Sequence, residues 1–309
     1  MHTRAELGAC GRAGAGGGKF AHGSRIPAVT ALVLAALVIA VVGIVFATPG
    51  KKPAGAGGVI ALGMAKARGS AAALALLTGP LPAGATRVDT PILMYHYVDE
   101  TPPPAGPYAD GLTVRTKDFK AEMKYLLDNA YQTVSLADVY LAMAGRKQLP
   151  PKPVVLTFDD GGLDNYEVAF PVLKENGFTA TFFVITGRVG EEGQMEWGQL
   201  REMAAQGMSI QSHSVSHPDL RGVSDARLRS ELVDSRNAIT QAIGEPGYVF
   251  CYPSGAHDDR VITAAQAAGY LMAVATGNGK DLDPRAVFEI NRRRVQAFLP
   301  LASFARIVR

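Results

Sequence analysis

The sequence predicts an α/β domain in which mostly parallel strands are covered by helices, preceded by one transmembrane helix. Over residues 86–309, short apolar segments alternate with amphipathic segments of helical period. Such alternation is typical of a parallel sheet whose connections are helices. The 20 residues 28–47 are uncharged and almost wholly apolar, and a helix of that length spans the core of a bilayer.

The elements of the domain follow one another with short connections. Most strands are short apolar runs, and the helices begin at polar residues that favour helix starts. The predicted order is strand 92–96, helix 116–130 capped by Thr116, strand 131–134, a helix from Ser135, strand 153–158, helix 165–175, strand 179–185, helix 196–207, strand 208–212, helix 224–243, strand 248–252, helix 258–268 and strand 270–275.

The charge of the chain is divided unevenly. Residues 1–85 carry 8 Lys or Arg and one acidic residue, whereas residues 86–309 carry 23 Lys or Arg and 27 acidic residues. The basic residues ahead of the apolar run favour a cytoplasmic tail over residues 1–27 and an exported remainder. Because the net charge of the domain is negative, we expect no nucleic-acid partner.

The apolar run 28–47 has two interpretations. We favour an uncleaved single-pass anchor in the cell membrane, because the run is longer than the apolar part of a signal peptide and no small-residue cleavage site follows at once. The alternative is a cleaved signal peptide and a secreted protein. Residues 48–85, rich in Gly, Ala and Pro, are predicted to form a linker to the domain of residues 86–309.

Polar side chains stand where four of the predicted strands end. Asp159 and Asp160 follow the strand 153–158, and His213 follows the strand 208–212. The other two strand ends carry His96 and the pair Tyr252-Pro253. Because the carboxyl ends of parallel strands share one face, we expect these side chains to lie close together.

The spacing of these residues favours a metal site. His213 and His217 are four residues apart, so one helical turn would place both imidazoles on the same side. Two histidines and one carboxylate form a three-ligand set that leaves a coordination position for water, and the other aspartate is left over as a base. The alternatives are a capping or solvated aspartate pair and a structural or exposed histidine pair. The combination favours a metal-dependent hydrolase.

These residues resemble two motifs of the NodB-homology polysaccharide deacetylases, carbohydrate esterase family four. The first motif stands here as Thr157-Phe158-Asp159-Asp160-Gly161, and the second as His213-Ser214-Val215-Ser216-His217-Pro218. The similarity extends from about residue 90 to 296. It implies a distorted (β/α) barrel and the hydrolysis of acetyl groups on a polysaccharide.

The resemblance also implies the roles of the site residues. Asp160, His213 and His217 would bind a divalent metal ion, expected to be Zn²⁺, with Co²⁺ and Ni²⁺ as alternatives. Asp159 would be the general base that activates the attacking water. Tyr252 and Pro253 belong to the third motif, which contributes an oxyanion donor or a groove wall.

The chain departs from the commoner family pattern in the third and last motifs. Cys251 stands where the family often has the arginine that orients the base, Ser254 replaces the usual tyrosine, and no histidine follows His257. A branch resembling poly-N-acetylglucosamine deacetylases instead has a histidine at the start of the domain, which makes His96 the candidate general acid. Arg292 fits the spacing of a late base-orienting arginine.

Both of these assignments have alternatives. His96 is alternatively a core histidine, and Arg292 is alternatively part of a solvated basic run.

The expected function is metal-dependent N-deacetylation of a polysaccharide that contains N-acetylglucosamine, such as peptidoglycan, poly-N-acetylglucosamine or a chitin-like polymer. A polysaccharide O-acetyl esterase and a membrane-tethered glycan-binding module with a degenerate site are the alternatives.

Overall fold

The computed structural model of the protein describes residue 77 and the ranges 79–101 and 109–309. The predicted cytoplasmic tail and anchor, with most of the predicted linker, lie outside these residues. Within the described ranges, no helix is both long enough and apolar enough to cross a bilayer. The folded part begins before residue 86, because the hydroxyl of Tyr140 donates to the carbonyl of Gly79 at 2.8 Å.

Seven parallel strands close into a barrel. The strands of the described chain are β1 (Val88–Asp89), β2 (Ile92–Tyr95), β3 (Tyr97–Val98), β4 (Thr113–Val114), β5 (Gln132–Thr133), β6 (Pro153–Phe158), β7 (Thr181–Val184), β8 (Ser209–Ser212), β9 (Val249–Cys251), β10 (Met272–Thr276), β11 (Asp281–Leu282) and β12 (Ile290–Arg294). The barrel order is β2-β12-β10-β9-β8-β7-β6, and pairing of β6 with β2 closes it. The short strand β5 adds to the start of β6.

Helices lie between most of the barrel strands. They are α1 (Ala109–Leu112), α2 (Thr116–Asp128), α3 (Leu136–Met143), α4 (Phe170–Glu175), α5 (Trp197–Ala205), α6 (Asp225–Ile243), α7 (Asp259–Ala267) and α8 (Leu301–Ile307). Side-chain caps open three of them, at Ser135, Ser224 and Asp258. Thr116 is not the cap of helix α2 but its first helical residue. The capping position is taken by Arg115, whose side chain makes no capping hydrogen bond.

The barrel interior is apolar at one end and polar at the other. One cluster of buried side chains draws on six of the seven barrel strands and fills the interior: Ile92, Val155, Phe183, Val249, Met272 and Ile290. Strand residues alternate between the inside and the outside of a barrel. The next inward position on β9 after Val249 is Cys251, and the next on β12 after Ile290 is Arg292. The polar residues therefore gather at the carboxyl ends of the strands.

The architecture confirms the predicted parallel barrel with surrounding helices and corrects one element. No strand was predicted after residue 275, yet β12 completes the barrel between β10 and β2. Its sequence, INRRR, is too charged to be recognised as a buried strand. The side chain of Arg292 is only 1% exposed, so the basic run is not a solvated face at this position.

A glycine closes the turn that follows β9. Gly255 has a φ of +73°, and a Cβ there would lie 2.4 Å from Oγ1 of Thr276. Replacing Gly255 with alanine should therefore lower the free energy of unfolding by about 1–3 kcal/mol more than replacing Gly190 does. Gly190 is the matched control, because its φ is +87° but nothing lies within 4 Å of the added Cβ. Urea denaturation of both variants measures the difference, and equal losses would contradict the steric explanation.

Candidate active site

The carboxyl ends of the barrel strands bring together the residues expected there. Asp159 and Asp160 follow β6, His213 and His217 follow β8, and Arg292 lies on β12. Seven described non-glycine residues have a positive φ, and four of them lie in the loops of this face: Asp160, Ser214, His217 and Ser254. Positive φ in such residues is costly and concentrates at functional sites.

Asp159 and Arg292 form a two-pronged ion pair inside the barrel. The two terminal nitrogens of Arg292 donate to Oδ1 and Oδ2 of Asp159, each at 2.7 Å. The side chains of Arg292 and Asp159 are 1% and 3% exposed, respectively. The guanidinium also donates to the carbonyl of Ala275 at 3.1 Å, to Oγ1 of Thr157 at 3.1 Å and to Sγ of Cys251 at 3.1 Å. Arg292 is therefore fully hydrogen-bonded on the inside of the barrel.

The ion pair keeps Asp159 ionised. Burial by itself would raise the pKa of Asp159, but the charge and hydrogen bonds of Arg292 outweigh it and hold this pKa well below the usual range. Burial raises the pKa of the neighbouring Cys251 thiol well above its usual value, so the thiol stays protonated. The pair thus presents a permanent carboxylate beside a neutral cysteine.

Asp160 faces the two histidines. Its Oδ1 lies 3.5 Å from Nε2 of His213 and 3.9 Å from Nε2 of His217. Nδ1 of His213 donates to the carbonyl of Cys251 at 2.8 Å, which fixes the tautomer and leaves the Nε2 lone pair free. The hydroxyl of Tyr97 donates to Oδ2 of Asp160 at 3.2 Å. Each of the three side chains therefore brings one possible ligand atom close to the other two.

The loop that carries the histidines is not the helical turn that their spacing favours. Residues 213–217 lie in an irregular loop, and Ser214 and His217 both have a positive φ. Glu231 on α6 holds this loop, because its Oε2 accepts from the backbone N–H groups of Val215 and Ser216, both at 2.9 Å. A buried carboxylate and two positive-φ residues thus replace the expected helix.

In the part of the chain that the structure describes, two groups of side chains have a composition suited to a metal ion. One contains Asp160, His213 and His217, and the other contains Asp159, His213 and Cys251; in each, the ligand atoms lie within 4.8 Å of one another. The second group fits a cation poorly, because the guanidinium of Arg292 occupies both oxygens of Asp159 and contacts the Cys251 sulfur. The first group fits, since one carboxylate and two imidazoles are ligands that zinc accepts.

His96 lies at the edge of the same site. It is half-buried, and its Nδ1 has no hydrogen-bond partner among the described residues. Burial lowers the pKa of His96, while the negative charges of Asp159 and Asp160 act in the opposite direction. The electrostatic influence of both aspartates shows that the imidazole lies near them, and its unpartnered Nδ1 is itself shielded from solvent.

The structure corrects the oxyanion role expected at Tyr252. The backbone N–H of Tyr252 donates to the carbonyl of Val274 at 3.1 Å, and the fully buried ring stacks on His257 at 4.6 Å. The Tyr252 N–H is therefore already used, and Pro253 is buried and has no N–H. Two residues on, the exposed Ser254 has a φ of 55°, and its N–H makes no hydrogen bond with the described residues. Ser254 is therefore the open donor of this turn.

Three supporting residues were not predicted from the sequence: Tyr97, Asn165 and Glu231. Asn165 is fully buried, and its Nδ2 donates to the carbonyl of His96 at 2.8 Å. The sequence holds weak signals for two of them. Tyr97 is adjacent to His96, and Glu231 would lie on the buried side of an otherwise polar helix.

Breaking the ion pair should destabilise the protein at neutral pH. Replacing Arg292 with methionine leaves the Asp159 carboxylate buried without a counter-charge, so we expect the free energy of unfolding at pH 7 to fall by about 3–5 kcal/mol. The pKa of Asp159 is lower in the folded than in the unfolded state, so the pair stabilises above the unfolded-state pKa of about 3.9 and less as the pH falls. The difference in unfolding free energy between the wild type and Arg292→Met, measured by urea denaturation, should therefore shrink from pH 7 to pH 3.

An exposed ion pair provides the control for this measurement. Lys124 and Asp128 on α2 are 2.8 Å apart, with side chains 72% and 53% exposed. Such surface pairs contribute little to stability. Lys124→Met should leave the unfolding free energy nearly unchanged at every pH. An Arg292→Met variant no less stable than Lys124→Met would contradict the proposed importance of the pair.

Comparison with known proteins is consistent with this geometry. A family model described as polysaccharide deacetylase matches residues 146–273. YxkH of Bacillus subtilis (strain 168), whose name assigns it to the polysaccharide deacetylases, is 34% identical over 218 residues, which are 71% of this chain and 75% of YxkH. A poly-beta-1,6-N-acetyl-D-glucosamine N-deacetylase of Staphylococcus aureus (strain MRSA252) is 26% identical over 171 residues, 51% of this chain and 59% of that protein.

A solved structure extends the similarity to the fold. The Streptococcus pyogenes deacetylase PplD, in complex with acetate, superposes with a TM-score of 0.66 at 29% identity and covers 73% of this chain and 99% of PplD. The similarity therefore includes almost the whole of PplD and most of the described domain. On this evidence the chain belongs to the polysaccharide deacetylase family and is a hydrolase related to the poly-N-acetylglucosamine deacetylases.

Proposed function

We propose that the protein removes N-acetyl groups from a polysaccharide that contains N-acetylglucosamine, with one divalent metal ion, outside the cytoplasmic membrane. The observation that carries the proposal is the division of two adjacent aspartates. Arg292 binds both oxygens of Asp159, whereas Asp160 faces His213 and His217. The basic residues ahead of the apolar run 28–47 support export of the domain.

Asp159 would act as the general base. It stays ionised beside Arg292, and carboxylate lone pairs that Arg292 does not use can still accept a proton. Its lowered pKa makes it a weak base, so the attacking water must be acidified, which a divalent ion bound by Asp160, His213 and His217 would do while polarising the acetyl carbonyl. Zn²⁺ suits this ligand set, and Co²⁺ or Ni²⁺ would also be accepted.

His96 and Ser254 would complete the chemistry of amide hydrolysis. The free backbone N–H of Ser254 would donate to the oxyanion that develops on the acetyl oxygen. His96, near both aspartates, would protonate the sugar nitrogen as the C–N bond breaks. Acetate and a free amine on the polysaccharide are the products.

The first test separates the base from the metal ligands. Asp159→Asn should bind one metal ion per chain but release acetate from N-acetylglucosamine oligomers about 10²- to 10⁴-fold more slowly. His217→Ala should lose metal affinity, because it removes one of three ligands. Metal content by mass spectrometry and acetate release by a coupled assay measure both effects.

His257→Ala is the matched control for the histidine variant. His257 stacks on Tyr252 and does not belong to the ligand group, so this variant should keep its metal and its activity. Acetate release by Asp159→Asn at the wild-type rate would rule out the proposed base. Acetate from O-acetylated xylan but not from any N-acetylated glycan would instead identify an O-acetyl esterase.

The second test asks whether His96 is the acid. A leaving amine needs a proton, whereas the phenolate of an activated aryl acetate leaves without one. His96→Ala should therefore slow acetate release from N-acetylglucosamine oligomers by about 10²- to 10⁴-fold and from an aryl acetate by about threefold or less. Asp159→Asn should slow both reactions. Equal losses on the two substrates in His96→Ala would show that His96 has another role.

A further inference from the structure

We propose that Asp164 and Asn165 are positioning residues that clamp the backbone on both sides of Tyr97 and so hold His96 in place for proton transfer. This inference rests on the proposed function, because it concerns the residue assigned there as the acid. It adds two residues that lie shortly after the Asp159-Asp160 pair, where a helical turn begins. Their partners lie more than 60 positions away in the chain.

Two hydrogen bonds form the clamp. Oδ2 of Asp164 accepts from the backbone N–H of Val98 at 2.6 Å. Nδ2 of Asn165 donates to the carbonyl of His96 at 2.8 Å. Nδ2 of Asn165 also donates to Oδ2 of Asp164 at 2.8 Å, which joins the two bonds into one network. The backbone from His96 to Val98 is therefore held at both ends.

A third contact ties the same segment to the metal-ligand group. The hydroxyl of Tyr97 donates to Oδ2 of Asp160 at 3.2 Å, so the clamped segment also restrains one carboxylate oxygen. The tyrosine ring packs closely over Gly162. A Cβ at Gly162 would lie 2.4 Å from Oδ1 of Asp164 and 3.3 Å from Cδ1 of Tyr97, so only glycine fits between the clamp and the ring.

The hydrogen bonds of the clamp do not serve the local helix. Asp164 precedes a π-helical turn, Asn165–Ala169, but its side chain makes no capping bond there. Asn165 is fully buried, and its Oδ1 has no partner among the described residues. Burying an asparagine with one unpartnered polar atom lowers stability, so a role in stability alone would not explain Asn165. Both side chains instead direct their bonds to the segment that carries His96.

Proton transfer depends steeply on the placement of the donor. His96 immediately follows β2, and beyond Tyr95 no barrel pairing restrains its carbonyl. The pairing of β3 with β4 begins only at Tyr97, so without Asn165 the His96 carbonyl would lose the hydrogen bond that holds it between the two pairings, and the imidazole would be less firmly placed. Misplacement of a catalytic group by about 1 Å costs on the order of 100-fold in rate.

The test compares Asn165→Ala with a matched asparagine elsewhere. Asn176 also uses Nδ2 to bind a backbone carbonyl, that of Val172, at 2.8 Å, but it lies at the end of α4. Asn165→Ala should lower kcat for N-acetylglucosamine oligomers by about 10- to 100-fold, and kcat for an aryl acetate by about threefold or less. Asn176→Ala should lower neither. A merely structural role would reduce both substrates together.

Asp164 offers a conservative variant that keeps the clamp. In Asp164→Asn, one amide oxygen can take the place of Oδ2 and accept both bonds, so kcat for both substrates should stay near the wild-type value. Asp164→Ala removes the acceptor and should reproduce the selective loss seen in Asn165→Ala. This pair keeps the proposal testable even if Asn165→Ala does not fold.

The outcomes separate the clamp from the function on which it depends. If the wild type is active and His96→Ala loses only amide hydrolysis, but Asn165→Ala and Asp164→Ala lose both activities equally or neither, the clamp alone is wrong. If Asp164→Asn loses as much kcat for the oligomers as Asp164→Ala does, the hydrogen bonds do not position His96 and the proposed clamp is wrong. If the wild type releases no acetate from the oligomers, the proposed function fails and the clamp fails with it.

Discussion

The buried ion pair between Asp159 and Arg292 is the interaction on which the rest of the site depends. Two almost fully buried charges are costly unless their geometry is good and their other hydrogen bonds are satisfied, and both conditions are met here. Because the positively charged guanidinium binds both oxygens of Asp159, that carboxylate is poorly suited to bind a metal ion as well. Asp160 is left to face the histidines. One arginine therefore separates two adjacent, chemically identical residues into the proposed base and the proposed metal ligand.

The source of this arginine explains an unusual residue in the third motif. In the commoner family pattern an arginine stands at the position of Cys251. Here the guanidinium belongs to Arg292, which reaches the inside of the barrel from another strand, β12. Its nitrogen lies 3.1 Å from the Cys251 sulfur, so a second long side chain at position 251 would compete for the same space. A small, neutral side chain is what this arrangement requires. Cys251 also holds the tautomer of His213 through its carbonyl.

The alternation of strands and helices predicted a parallel sheet, and the family resemblance implied that it closes into a barrel. The four central residues were predicted because strand ends and motif spacing are local patterns. No strand was predicted at β12, because Arg292 and its neighbours give this strand a charged sequence that does not resemble a buried strand. The loop of His213 and His217 is not the helical turn that the spacing predicts, because its shape depends on Glu231, a residue of α6 outside the motif. Asn165 was missed for the same reason: its partner, the carbonyl of His96, is 69 residues away.

The central claim is the division of the two aspartates, and anomalous diffraction from crystals loaded with zinc tests it most directly. The peak at the zinc absorption edge should lie among Asp160, His213 and His217, with Arg292 still bound to both oxygens of Asp159. A peak among Asp159, His213 and Cys251, with Arg292 displaced, would contradict the account, because the ion would then occupy the residue assigned as the base.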